Sequence, residues 1–158
     1  MSNVTEVNNT GNQAQFNYDT SKIFVWNNRY SSATFINNTG GALAFAPGTV
    51  VGRVAATNLI APFDSSATDG SQIPIGVLKS NLASSADDAQ TTNTNFCKAG
   101  DVVEGKLLFQ GSDDLDTVVT INDGSPAETD NTRTVRDMIE SLGINIVAST
   151  ELTGFDNQ

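Results

Sequence analysis

The chain has 158 residues, 38% hydrophobic and 16% charged, with a formal charge of −10 and no histidine. That length suits one domain with a modest core, and the missing histidine removes the side chain most used for acid–base chemistry and metal ligation, which argues against an enzyme. The eight Lys and Arg residues are scattered, so no basic stripe tracks a nucleic acid, and the single Cys97 leaves neither an internal disulfide nor a zinc-ligand set.

No basic, apolar start reads as a signal peptide, and no apolar run approaches membrane-spanning length. The expectation is a soluble protein made in a cytoplasm, with no cofactor and with neither a membrane nor a nucleic acid as direct partner.

Met1 to Ser21 is dominated by Asn, Thr, Ser and Gln, with Phe16 and Tyr18 as its aromatics. Such a stretch has too little apolar surface to offset its own ordering entropy, so it reads either as an untethered tail or as an arm that orders on a partner. Lys22 to Asn28 changes character: in a regular strand Ile23 and Val25 face one way, Phe24 and Trp26 the other. A strand apolar on both faces wants cover on both, from its own domain, from neighbouring subunits or from a larger partner. A second strand is expected over Arg29 to Asn37, centred on Thr34, Phe35 and Ile36, before the turn signal Asn38-Thr39-Gly40-Gly41. Residues 1–47 are therefore read as an amino-terminal arm with a strand-forming segment at 22–37, residues 48–150 as a β domain, and 151–158 as a tail.

The stretch from Gly48 to Leu82 reads as a three-strand meander. Val50, Val51, Val54 and Ala55 have strand character, Thr57-Asn58 is turn chemistry, and Leu59 to Phe63 is the next apolar run, an antiparallel neighbour of the first. Pro62 cannot donate to a ladder and marks an edge, a bulge or a strand end. Asp64 to Ser71 is a polar surface loop. Ile75, Val77 and Leu78 restart the sheet, with Gly76 marking a bulge or a close backbone approach.

Ser80 to Thr94 is polar and reads as a loop. Phe96, a turn at Lys98 to Asp101, and Val102 to Phe109 are expected to form a hairpin in which Cys97 is a small buried hydrophobe rather than a reactive thiol. Asp113, Asp114 and Asp116 invite a calcium reading, but the Gly and distal Glu of an EF-hand are missing, and a solvated acidic turn is favoured. Thr117 to Ile121 reads as a strand and Asn122 to Asn131 as a loop.

Val135, Met138, Ile139 and Leu142 fall at i, i+3, i+4 and i+7, which predicts a short helix whose apolar stripe packs on the sheet. Thr132 or Asn131 is expected to cap its start, and Gly143 suits the left-handed position after its end. Ile144, Ile146 and Ala148 alternate as a last strand.

Three blocks carry a family resemblance: the apolar strand, Asp64, Thr68-Asp69-Gly70 and Gly76-Val77-Leu78; Thr94 to Asp101 with the run to Phe109; and Met138 to Val147. In this order they resemble the phage-lambda-type head decoration proteins across roughly residues 48–148, with departures in the long amino-terminal region and around Asp113 to Arg133. The resemblance implies a mainly β fold with one short carboxy-terminal helix, of the β-clip or β-tulip type, extended by an amino-terminal arm. It also implies a homotrimer on the outer surface of the virion, bound to the major capsid protein at threefold and quasi-threefold sites and holding the expanded shell against packaged DNA, with no catalytic residues. Phe16, Tyr18, Ile23, Phe24, Val25 and Trp26 are the candidate capsid-binding residues. The alternatives are a virion fibre or adhesin subunit that binds a host receptor and, far behind, a hydrolase using Asp64 and Asp69, for which no nucleophile or oxyanion element is recognisable.

Overall fold

Val50 and Val51 are neighbours on one strand and both are buried, so that strand is covered on both of its faces. The computed structural model in which they lie describes residues 23–41, 43–82, 91–121 and 131–148. Its main sheet is built from β1 (Phe24–Ile36), β2 (Val50–Arg53), β3 (Ile60–Pro62), β4 (Pro74–Leu78), β5 (Thr91–Val103) and, later in the chain, β8 (Ile144–Val147). A separate hairpin pairs β6 (Val118–Ile121) with β7 (Asn131–Thr134), and α1 (Val135–Ser141) joins β7 to β8.

The sheet order is β1-β3-β2-β4-β5-β8, and β1 pairs with β5 as well, which closes the first five strands into a barrel. β8 stands outside that ring, parallel to the last residues of β5 from Gly100↔Ile144 to Val103↔Val147. The described chain is thus mainly β with one α-helix, as the sequence leads one to expect.

Strand alternation sorts the apolar residues into two clusters. Phe35, Val51, Ile60, Leu78 and Phe96, one from each barrel strand, join Phe45 and Leu82 as the barrel interior. Val50, Val77 and Cys97 point the other way and meet Phe63, Val102, Leu115, Val119 and the helix residues Val135, Met138 and Ile139. The helix and the β6–β7 hairpin therefore form an outer layer, which is why consecutive residues such as Phe96 and Cys97 are both buried. Cys97 is the small buried hydrophobe expected. Pro62 ends β3, and Gly76 is a close approach: a β-carbon there would collide with the Cys97 carbonyl oxygen and lie 2.6 Å from the Phe96 ring.

Several expectations are corrected. The two strands at 22–28 and 29–37 are one 13-residue strand, because bulges opposite β5 absorb the irregularity around Trp26 to Arg29 that the pattern shows as a break. Its segment 24–36 is a wall of the barrel, paired with β5 along its length.

Thr91 to Thr94 are not loop but the start of β5. Thr91, Thr92 and Asn93 are exposed, and on the outward face Thr34 Oγ1 donates to Asn93 Oδ1 at 3.0 Å and Ser32 Oγ to Asn95 Oδ1 at 2.8 Å, whereas Thr94 is buried. The expected hairpin turn at Lys98 to Asp101 is absent, since β5 runs straight through to Val103, and Gly100 (φ 115) marks an irregularity inside the strand.

At the helix, Asn131 to Thr134 are strand, and the N-cap is Thr134, whose Oγ1 accepts from the Asp137 N–H at 3.2 Å. The N–H groups of Val135 and Arg136 donate to the carbonyls of Thr117 and Leu115, both at 2.9 Å. Gly143 takes the left-handed position (φ 89) as expected, but Leu142 is 40% exposed. The chain turns away there, because α1 spans only seven residues.

Candidate functional site

Four of the six candidate residues fall where the chain enters the barrel; Phe16 and Tyr18 lie outside the described residues. The Ile23 carbonyl accepts from the Val103 N–H at 2.9 Å, and its side chain lies over Gly48, so Ile23 is tied into the fold. Phe24 pairs with Val102 and packs on the outer cluster, its ring edge-on to Tyr30 with centroids 5.6 Å apart. Val25 is half-buried and Trp26 is 73% exposed. Phe24 and Trp26 therefore do not share an environment as a regular strand would have it.

The cause is in the backbone. The register against β5 shifts between Phe24 and Trp26 and again between Trp26 and Arg29, and Asn27 adopts φ 48, a left-handed conformation uncommon outside glycine but tolerated by asparagine. Asn28 secures the bulge: its Nδ2 donates to the Asp101 carbonyl at 3.0 Å and approaches Cys97 Sγ at 3.5 Å. Asp101, partner of Trp26 on β5, is also partner of Asn145 on β8, whose Nδ2 donates to Asp101 Oδ1 at 3.3 Å. Trp26, Asp101 and Asn145 are thus paired in register across three strands at the root of the amino-terminal segment.

Residues 21–128, which include this entry point and the whole barrel, match the family model of the bacteriophage lambda head decoration protein D. The chain belongs to that family. The match begins before β1 and stops before α1 and β8, so the family's signal reaches further toward the amino terminus than the block starting at Gly48, and the third block, Met138 to Val147, lies beyond it. No curated protein matches the chain. Head decoration proteins are structural components of the phage virion, located on its capsid, rather than enzymes.

The carboxylates weighed for chemistry in this head decoration protein shape loops. Asp64 Oδ1 accepts from the Ser66 N–H (2.9 Å) and hydroxyl (2.6 Å), and Asp69 Oδ1 from the Ser71 N–H (2.9 Å) and hydroxyl (2.6 Å). Those two donors hold the Asp69 carboxyl below its ordinary range. Asp113, in the acidic turn, accepts from the Ser65 N–H at 2.9 Å and from its hydroxyl at 2.6 Å, pinning two loops together. Pattern reasoning missed Asn27, Asn28 and Asp101. The juxtaposition of Asn-Asn after an apolar run is the one local signal for the bulge, since Asn is the non-glycine residue best suited to a positive φ.

Proposed function

We propose that this protein decorates the outside of the expanded phage head as a homotrimer at threefold and quasi-threefold sites, and that it stabilises the shell against the pressure of packaged DNA. The observation that carries the reading is the match of residues 21–128 to the head decoration family. The charge of −10 fits a surface that never meets the genome, and a cyclic trimer hides apolar surface without added protein. The partner is the major capsid protein, the domain that docks is the barrel with its outer layer, of the β-tulip type, and no step is catalytic.

Attachment works through the amino-terminal arm. Residues 1–22 add a strand to a sheet of the capsid protein, and backbone pairing alone does not suffice: each net hydrogen bond gives about 0.5 to 1.5 kcal/mol, against about 1 to 2 kcal/mol for fixing each residue. Apolar anchors supply the difference, at about 1.5 to 3 kcal/mol for each large side chain fully buried. Phe16, Tyr18, Val25 and Trp26 are the anchors that reach the shell, while Ile23 and Phe24 root the arm in the barrel, consistent with their contacts there. Three arms on one trimer raise the avidity.

Deleting Met1 to Ser21 tests this. The expected result is a folded trimer by sedimentation with sharply weaker binding to decoration-free expanded capsids. Full occupancy and affinity in the truncated protein would refute the arm mechanism, and a full-length chain that leaves such capsids bare would refute the function.

A further inference from the structure

Phe24 and Tyr30 are six positions apart on β1, a spacing that in a regular strand puts them on one face with Trp26 and Asn28 between them. Their rings nevertheless touch, edge to face. The bulge has removed both intervening side chains from that row: Asn28 turns its carboxamide to the Asp101 backbone, and Trp26 stands 73% exposed. A large aromatic held in solvent by a left-handed Asn27 is the reverse of what core packing asks of tryptophan, and such backbone outliers concentrate at functional positions.

Asp101 is the cross-strand partner of Trp26 on β5. Cross-strand partners are near neighbours on a sheet face. The carboxylate takes one donor from Asn145 and retains further acceptor sites. Among the described residues the ion pair is Arg136 with Glu104, and the cation seated over a ring is Lys79 over Tyr30, 4.1 Å from its centroid. Neither the Trp26 face nor the Asp101 carboxylate has a cation from its own chain among those residues.

We infer that Trp26 and Asp101 together receive an arginine side chain of the shell protein. The guanidinium plane stacks on the indole while its N–H fork donates to the carboxylate, a pairing that uses both features at once and that arginine meets better than lysine. This rests on the capsid-binding reading and gives it a partner chemistry. Charge complementarity selects the occupant: a chain carrying −10 favours a partner that brings positive charge to the contact, which a guanidinium of the shell protein supplies. Position agrees, because Trp26 lies a few residues after the arm proposed to reach the shell.

The test titrates decoration-free expanded capsids with the full chain and with Trp26→Phe, Trp26→Leu and Asp101→Asn, each at low and high salt, with sedimentation of the free proteins alongside. Trp26 is the chain's one tryptophan, so its fluorescence in the free wild type also checks its exposure, through long-wavelength emission open to acrylamide quenching. Trp26→Leu and Asp101→Asn are expected to bind at least tenfold more weakly, Trp26→Phe to fall between wild type and Trp26→Leu, and Asp101→Asn to lose part of the salt dependence. All four proteins should sediment alike. Wild-type affinity in Trp26→Leu overturns the inference, as does an Asp101→Asn protein with unchanged affinity and salt slope. Loss of the oligomer in Trp26→Leu overturns it too, making a second copy the occupant. Should the wild type itself fail to bind capsids, the functional reading falls and this inference with it; binding by the wild type with unaffected variants refutes the inference alone.

Discussion

Asn28 lies so close to Gly100 that a β-carbon at position 100 would stand 2.6 Å from the Asn28 Cα and 2.8 Å from its Nδ2. Gly100 is also at φ 115, where an L side chain is strained whatever the space. The glycine thus lets β5 pass beneath the bulge that exposes Trp26. Gly100→Ala is expected to destabilise the protein by about 1 to 3 kcal/mol and to shift the Trp26 emission, read from urea titration and fluorescence. An unchanged midpoint and spectrum would show that the bulge does not depend on this contact.

The helix offers a contrast within one stripe. Ile139 is fully buried and Met138 nearly so, whereas Leu142, one turn on, is 40% exposed at the C-cap. Ile139→Ala should cost about 2 to 5 kcal/mol, as large-to-small core changes do. Leu142→Ala should cost under about 1 kcal/mol, in keeping with its partial exposure. Chemical denaturation of both variants decides the matter, and equal losses would mean that Leu142 packs as tightly as its neighbours.

That contrast also marks what the sequence makes legible. The 3.6-residue period identifies the helix, and Gly143 its end, because both are local; where the stripe leaves the core depends on the turn into β8. The strands β2, β3 and β4 are read from β-branched runs and turn residues for the same reason, but the meander expected of them is not formed: β2 lies between β3 and β4, so the third strand returns to the far side of the first. β5 is misread as loop and hairpin because Asn93, Asn95 and Gly100 look like turn chemistry until Ser32, Thr34 and Asn28 across the ladder explain them. The closure of β1 on β5 joins residues about seventy apart, and no local pattern encodes it. At the candidate site Trp26 was legible as an apolar residue in a strand; its exposure was not, since the bulge that causes it is made with a distant strand.

Thr94 presents a hydroxyl to the interior without a partner. The residue is 7% exposed, its Oγ1 accepts and donates no hydrogen bond, and it pairs with Ala33, which packs on the barrel interior. An unsatisfied buried polar group costs about 1 to 3 kcal/mol, and an apolar replacement of the same shape removes that cost. Thr94→Val should therefore raise stability by about 1 kcal/mol, visible as a higher urea midpoint at unchanged slope. A fall in the midpoint would mean that the hydroxyl is satisfied in solution.

The loop at Thr68 to Ser71 should be the acid-sensitive part of the barrel. Asp69 Oδ1 takes both donors of Ser71, whose side chain is buried, and the Asp69 carbonyl accepts from the Ala55 N–H at 2.8 Å, so one residue ties the loop to the end of β2. The Ser71 hydroxyl, and after it the Ser71 N–H, hold the Asp69 carboxyl below its ordinary 3.8 in the folded state. A group depressed by folding contributes stability that is complete above its unfolded value and is lost as the pH falls through the lower, folded one. The stability difference between wild type and Asp69→Ala should thus be constant above pH about 5 and shrink below pH about 4. Because the carboxylate is largely exposed, the effect is a modest one. Urea midpoints measured across that range, with the Asp69 carboxyl titration followed by NMR, supply the check. A titration midpoint at or above 3.8, or a difference that does not narrow in acid, would show that the Ser71 donors do not hold the charge.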